Sequence, residues 1–173
     1  MNKDTLLIFF KGVLRSYSQI FFSKNYWFAV PLMVVSFFDI SAGLGGLISV
    51  ITANLVASLL RFDKYTIIRG FYGYNSLLVG LGLGYYYELT LAIIVIAILA
   101  GILTLFITVV FQGILGKYYL PFLSMPFVFS VWIVLSAGWM VSGAVDNQSG
   151  AYILNKLFSI GGNPLVNLHQ WWV

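Results

Sequence analysis

Residues 70–84 read GFYGYNSLLVGLGLG, an apolar stretch holding five glycines, two tyrosines, one asparagine and one serine. A phosphate-binding loop, a tightly packed helix and the wall of a pore would each use those glycines differently. Gly80, Gly82 and Gly84 alternate, whereas a dinucleotide fingerprint needs G-x-G-x-x-G after a strand in a soluble βαβ unit. The residue three after Gly82 is Tyr85, and the surroundings are lipid-soluble. Close packing of membrane helices, which small residues permit, fits VGLGLG better. Gly43, Gly45 and Gly46 read the same way.

The rest of the chain supplies the reason for a membrane setting. Its 173 residues are 61% hydrophobic and 8% charged, against about 25% charged in soluble domains. No charge falls between Leu89 and Gly116 or between Tyr118 and Val145, and about 20 apolar residues suffice for a helix to cross the hydrocarbon core. Transmembrane barrel strands alternate apolar and polar over about 10 residues, unlike these continuous runs. The fold class is therefore an all-α integral membrane protein. About five transmembrane, broken or re-entrant helices are expected, near 26–38, 41–60, 70–86, 89–114 and 126–145.

Ahead of them, Leu6, Leu7, Phe9, Phe10, Val13 and Leu14 recur at helical spacing, with Lys3, Lys11 and Arg15 elsewhere on the wheel. That pattern predicts an interfacial amphipathic helix over 1–24. A membrane domain over 25–148 follows, then a linker or the start of a further half over 149–173. Most of the net charge of +4 lies in Lys3, Lys11, Arg15, Lys24, Arg61, Lys64 and Arg69. Five crossings put the N-terminus, the 61–69 loop and Lys117 on one side, the cytoplasmic one by the positive-inside rule. The Tyr85–Tyr87 and Tyr118–Tyr119 groups then mark the two interfaces. Nucleic-acid binding is not indicated.

Without cysteine the chain has no disulfide, thiolate metal site or cysteine nucleophile. We read no metal site, no cofactor and no enzyme, since paired carboxylates and an activated nucleophile are both missing. His169 sits in a tryptophan-rich tail and is assigned no role. Two places look broken. Gly70, Gly73 and Asn75-Ser76 interrupt one apolar segment, and Pro121 and Pro126 bracket Ser124 in another, LPFLSMPFVF (120–129). Backbone groups freed by such breaks must be met by protein or by a water-filled cavity, which marks them as candidate linings of a solute path. A third place, SQIFFSKN (18–25), sets Gln19 beside Phe21 and Phe22.

At these three places together the sequence resembles the urea transporter family, whose motifs read Q/E-V-F-F…N-N-P, G-L-x-G-F/Y-N-G-x-L-V-G and L-T-L-P-F. Here they stand as SQIFFSKN, GFYGYNSLLVG (70–80) and LSMPF (123–127). The resemblance implies a channel-like passive facilitator for urea, built from two inverted halves around one pore and assembled as a homotrimer. It implies a flat aromatic slot with hydrogen-bond acceptors along one edge. It assigns Phe22 and Tyr74 to the slot, Leu78 to its apolar wall, Gln19 to the polar position and Ser124 to the pore threonine. Gly70, Gly73, Asn75, Pro121 and Pro126 would shape the breaks. Departures are Ser76 for the motif glycine, Ser124 for threonine, and Tyr26 where the family has proline. The match covers one half only, so a second inverted half is expected as partner, in the same or another chain. The membrane implied is an inner or plasma membrane. Alternatives are a non-conducting sensor, scaffold or anchor, or a channel for ammonia or another small neutral solute.

Overall fold

The computed structural model describes residues 3–23 and 25–138. The part of the last apolar segment beyond 138, the 149–173 stretch, His169 and Lys24 lie outside the described residues. Among those described there are seven helices: α1 Lys3–Gln19, α2 Tyr26–Ser36, α3 Ile40–Leu59, α4 Lys64–Ile68, α5 Tyr74–Tyr86, α6 Leu91–Gly116 and α7 Met125–Gly138.

Local sequence sets most of these boundaries. The side chains of Asn25, Asp39, Asp63 and Thr90 accept backbone N–H groups at the starts of α2, α3, α4 and α6, the usual work of short polar residues at N-caps. Four helices end alike. Phe22, Arg61, Gly70 and Tyr119 have positive φ, and the next N–H reaches back five residues. Ser23 donates to Ser18 O, Phe62 to Ala57 O, Phe71 to Thr66 O and Leu120 to Leu115 O, at 3.0–3.3 Å. This is the Schellman closure. Glycine fills the left-handed position only at Gly70 (φ 76°); elsewhere a side chain stands there, at a cost of roughly 1–2 kcal/mol.

All five expected segments contain a helix, but their lengths differ. Only α3 (20 residues) and α6 (26 residues) are long and apolar enough to cross a bilayer among the described residues. Helix α5 has 13 residues, roughly 20 Å at 1.5 Å per residue, short of the ~30 Å hydrocarbon core. The third segment is continuous helix only from Tyr74, with Gly70 and Gly73 in the turns before it. Within the 1–24 segment Lys3–Gln19 is helical as α1, and the second half of that helix is integrated into the bundle. Val13, Ser16, Tyr17, Ser18 and Gln19 are buried, and Gly12 lies against Ile67 of α4.

The core is the packing of α3, α5 and α6. Helix α5 runs antiparallel to α3, with Gly84 against Ser41 and Ala42, and Gly80 against Gly45 and Ser49. A Cβ at Gly45 would stand 2.6 Å from Gly80 O, and one at Gly46 2.8 Å from the Leu81 side chain. The expected close packing of these glycines is what the structure shows. Gly82 is the exception, with no described residue within 4 Å of a Cβ. Helix α6 lies across both partners, Gly101 against the Ser49 backbone and Ala97 and Ala100 against Val79 and Leu83. Two serine hydroxyls tie it down. Ser49 Oγ of α3 donates to Ala97 O (2.8 Å), and Ser76 Oγ of α5 donates to Gly101 O (3.1 Å), one helical turn further on. Leu91, Val95, Leu99, Phe106, Val110 and Ile114 of α6 stay exposed, an apolar surface suited to lipid.

Two consequences can be checked by thermal unfolding in detergent. Gly80→Ala should lower stability by about 1–3 kcal/mol through overpacking, while Gly82→Ala should be neutral or raise it by up to about 1 kcal/mol through helix propensity. Asp63 gives a pH signature. Its carboxylate accepts the Thr66 hydroxyl (2.6 Å) and N–H (2.8 Å), and these bonds hold its pKa below the usual carboxylate value. A lowered folded-state pKa stabilises above the unfolded value and is lost as pH falls through the folded one. Asp63→Ala should therefore melt slightly below the parent near neutral pH, the gap closing on acidification below the carboxylate range.

Candidate functional site

The closing turn after α1 brings Phe22 to one end of the bundle. There Phe22 N–H donates to Gln19 O at 2.9 Å, and the ring meets Tyr74 edge-on, centroids 6.5 Å apart at 65°. The turn at Gly70 has to pass α1 at backbone distance, since a Cβ there would lie 2.6 Å from Ser16 N. Gly73 is enclosed by Ser16, Asn54 and Val50. These two glycines let the chain turn under α1 and begin α5 with Tyr74 aimed at Phe22.

Between these elements lies a cavity of about 430 Å³. Its walls come from α1 and its closing turn (Arg15, Gln19, Phe22), the turn before α5 (Arg69, Phe71, Tyr74), the end of α6 (Gln112, Gly116) and residues 120–123. Phe22 is half exposed, whereas Tyr74 is 1% exposed and Gln19 7%. Tyr74 therefore forms the closed inner end. Its hydroxyl donates to Leu123 O, and Leu123 has φ 43°, a conformation that costs a residue with a Cβ roughly 1–3 kcal/mol and depends on its surroundings. Asn75, fully buried beside it, has Nδ2 at 3.5 Å from the same carbonyl, a weak contact at best. Its Oδ1 has no hydrogen-bond partner among the described residues.

Of the five residues the resemblance placed on a solute path, Gln19, Phe22 and Tyr74 meet in this cavity. Leu78 and Ser124 are not in its walls. Leu78 is half-buried one turn along α5 from Tyr74, and Ser124, also half-buried, follows Leu123. Of the residues assigned to the breaks, Pro121 lines the cavity, while Pro126 is fully buried in the first turn of α7, where a missing N–H is tolerated. Asn75 lies inside the first turn of α5 rather than in the break ahead of it. Ser76 turns away from the cavity, towards α6.

Arg15, Arg69, Phe71, Gln112 and Gly116 of the walls had not been singled out from the sequence, and Leu120, Phe122 and Leu123 only as part of the 120–129 stretch. Gln112 carried a signal. Thr104, Thr108 and Gln112 are spaced by four in an otherwise apolar run, which places them on one helix face. The two threonines are buried, their hydroxyls bonded to Ala100 O and Thr104 O, so the stripe emerges at the cavity through Gln112. The arginines had been counted only as topology signals. Among the described residues, no carboxylate lines the cavity.

The family model for the urea transporter matches residues 10–160. That span begins within α1 and takes in α2 to α7, so every wall residue of the cavity and every glycine of the α3–α5 contact falls inside it.

The two hydroxyls on α5 should separate in experiment. Tyr74→Phe removes the bond to Leu123 O, and we expect faster amide exchange over 123–125 and a loss of about 1 kcal/mol. Ser76→Ala should cost about 0.6 kcal/mol, the mean for side-chain hydrogen bonds between membrane helices, and leave exchange over 123–125 unchanged.

Proposed function

Because the chain belongs to the urea transporter family, an integral membrane family, we propose that its cavity is the mouth of a passive path for urea or a similar small amide. The observation that carries this reading is the convergence of two aromatic rings, Phe22 and Tyr74, with two neutral amides, Gln19 and Gln112, from separate chain segments. Urea is planar, uncharged and rich in N–H donors. Aromatic faces suit its shape, and amide oxygens replace water it loses on entry, where each unmade hydrogen bond costs about 1–3 kcal/mol. A path for a neutral solute needs no titrating group, and the described wall residues include no carboxylate. In this reading Leu78, one turn along α5 from Tyr74, and Ser124, next to Leu123, would serve as apolar wall and hydroxyl further along the path.

A complete slot in this reading needs a second, inverted half, and the assembly is a homotrimer in an inner or plasma membrane. The cavity end carries Arg15, Arg61, Lys64, Arg69 and Lys117, and the other end Asp39 and Glu88, which supports a cytoplasmic position for the cavity and the N-terminus. One observation favours the non-conducting sensor or scaffold instead: Tyr74 is bonded across the inner end to Leu123. That alternative predicts urea binding without flux. An ammonia path would share the architecture and be told apart by solute competition.

In reconstituted vesicles under a urea gradient, the protein should speed shrinkage and reswelling over empty vesicles. Gln19→Leu and Gln112→Leu should each slow urea entry by about tenfold, the equivalent of one hydrogen bond of ~1.4 kcal/mol. Urea entry equal to that of empty vesicles would refute the transport reading.

A further inference from the structure

Asn54 has no place in the path as described, although its side chain is fully buried in α3. Its amide does not tie helices together as the hydroxyls of Ser49 and Ser76 do. Nδ2 donates to Val50 O of its own helix at 2.9 Å, and Oδ1 has no hydrogen-bond partner among the described residues. An unmet acceptor in a low-dielectric surround is a net cost. Polar groups inside membrane spans are rare for that reason, and where they occur they point to function.

Shape is what this amide supplies. Two glycines stand at its edges. A Cβ at Gly12 of α1 would lie 3.1 Å from Asn54 Oδ1, and one at Gly73, in the turn before α5, 2.4 Å from Asn54 Nδ2. Gly73 has φ −93° and ψ −30°, a conformation open to residues with a side chain, and Gly12 lies inside a helix, where glycine is a poor choice for the backbone. Space, and not backbone conformation, therefore asks for glycine at both. The flat amide fits between α1 and the turn as a spacer that both backbones approach closely.

Two walls of the cavity start from this spacer. Gln19 lies two turns beyond Gly12 on α1, and Tyr74 follows Gly73 directly. Val13 and Tyr17 of α1 pack with Val50 and Leu77, so α1 cannot simply sink into space vacated at Asn54. A void in so packed a surround relaxes only in part. Without the spacer, the two walls gain play.

We propose that Asn54 is a positioning residue whose planar amide sets the spacing of α1 from the turn before α5, hence the gap between Gln19 and Tyr74 and the largest amide the path admits. The inference rests on the transport reading above and adds what limits solute size within it. N-methylurea is the discriminating probe, since it keeps the plane, neutrality and carbonyl of urea and adds one methyl group.

The test measures tracer uptake of urea and of N-methylurea into vesicles holding the full chain, for the parent, N54S, N54A, G73A and G73A/N54A. The methylurea-to-urea ratio should rise about tenfold in N54A, the lower end of what one methylene is worth in a fitted site, and partway in N54S, the milder change if N54A does not fold. G73A should raise the ratio too, by pushing the turn off the amide. In G73A/N54A the added methyl occupies space the amide left, so the ratio should fall back towards the parent's. A merely structural Asn54 would slow both solutes alike. An unchanged ratio in N54A and N54S, or single effects that simply multiply in the double variant, would overturn the spacer while leaving urea transport standing. A parent that moves neither solute faster than empty vesicles would overturn the transport reading itself, and the size limit with it.

Discussion

The backbone contact between α3 and α5 is the constraint on which the rest of the bundle depends. Gly45 and Gly80 meet so closely that neither tolerates a Cβ. In lipid no hydrophobic force pulls two helices together, so association rests on van der Waals contact and hydrogen bonds. Close approach multiplies the first. It also leaves Ser49 and Ser76 pointing at α6, where they bond the carbonyls of Ala97 and Gly101. Those carbonyls lie one turn apart, which aligns α6 with both partners. The end of α6, and Gln112 with it, is thereby delivered to the cavity.

The cavity follows from where this core stops. Helix α5 is too short to cross alone, and the chain ahead of it turns under α1 through Gly70 and Gly73. That turn frees space at one end of the bundle, and the closing turn of α1 fills part of it with Phe22. Tyr74 seals the bottom by reaching the Leu123 carbonyl in the loop before α7. Breaks in the apolar segments and the site are therefore one feature. The irregular backbone sits beside an open-ended cavity and against protein, where its freed groups can be met, as a low-dielectric surround requires.

Much of this was legible in the sequence, and the parts that were not share a cause. Glycine spacing at 43–46 and 80–84 announced the packing, because only close approach explains so many small residues in lipid. Of the five residues that the family motifs singled out, Gln19, Phe22 and Tyr74 meet, while Leu78 and Ser124 lie outside the walls. What could not be read was rotation. Helices α3, α5 and α6 are apolar over most of their surface, and their few small polar residues, such as Ser49, Asn54, Asn75 and Ser76, do not tell which neighbour each side faces. Ser76 consequently read as a residue facing the path, whereas its hydroxyl binds α6. The second half of α1 read as an interfacial helix, although Ser16, Tyr17 and Gln19 are buried; a wheel of apolar and basic residues does not distinguish lipid from protein as the apolar partner. Arg15 and Arg69 were legible as charges and not as walls, since their place depends on tyrosines at 26 and 65 that stack beneath them.

The central claim is that one end of a glycine-packed, serine-tied bundle opens as a wet cavity closed at Tyr74. The absence of cysteine from the chain makes this directly testable by single-cysteine labelling. Gln112→Cys and Thr108→Cys lie one helical turn apart on the same face of α6, the first in the cavity wall and the second buried above it. With a membrane-impermeant, water-soluble thiol reagent applied to both faces of folded protein in vesicles, position 112 should react rapidly and position 108 should not. Equal reactivity at the two positions, or none at 112, would contradict the account.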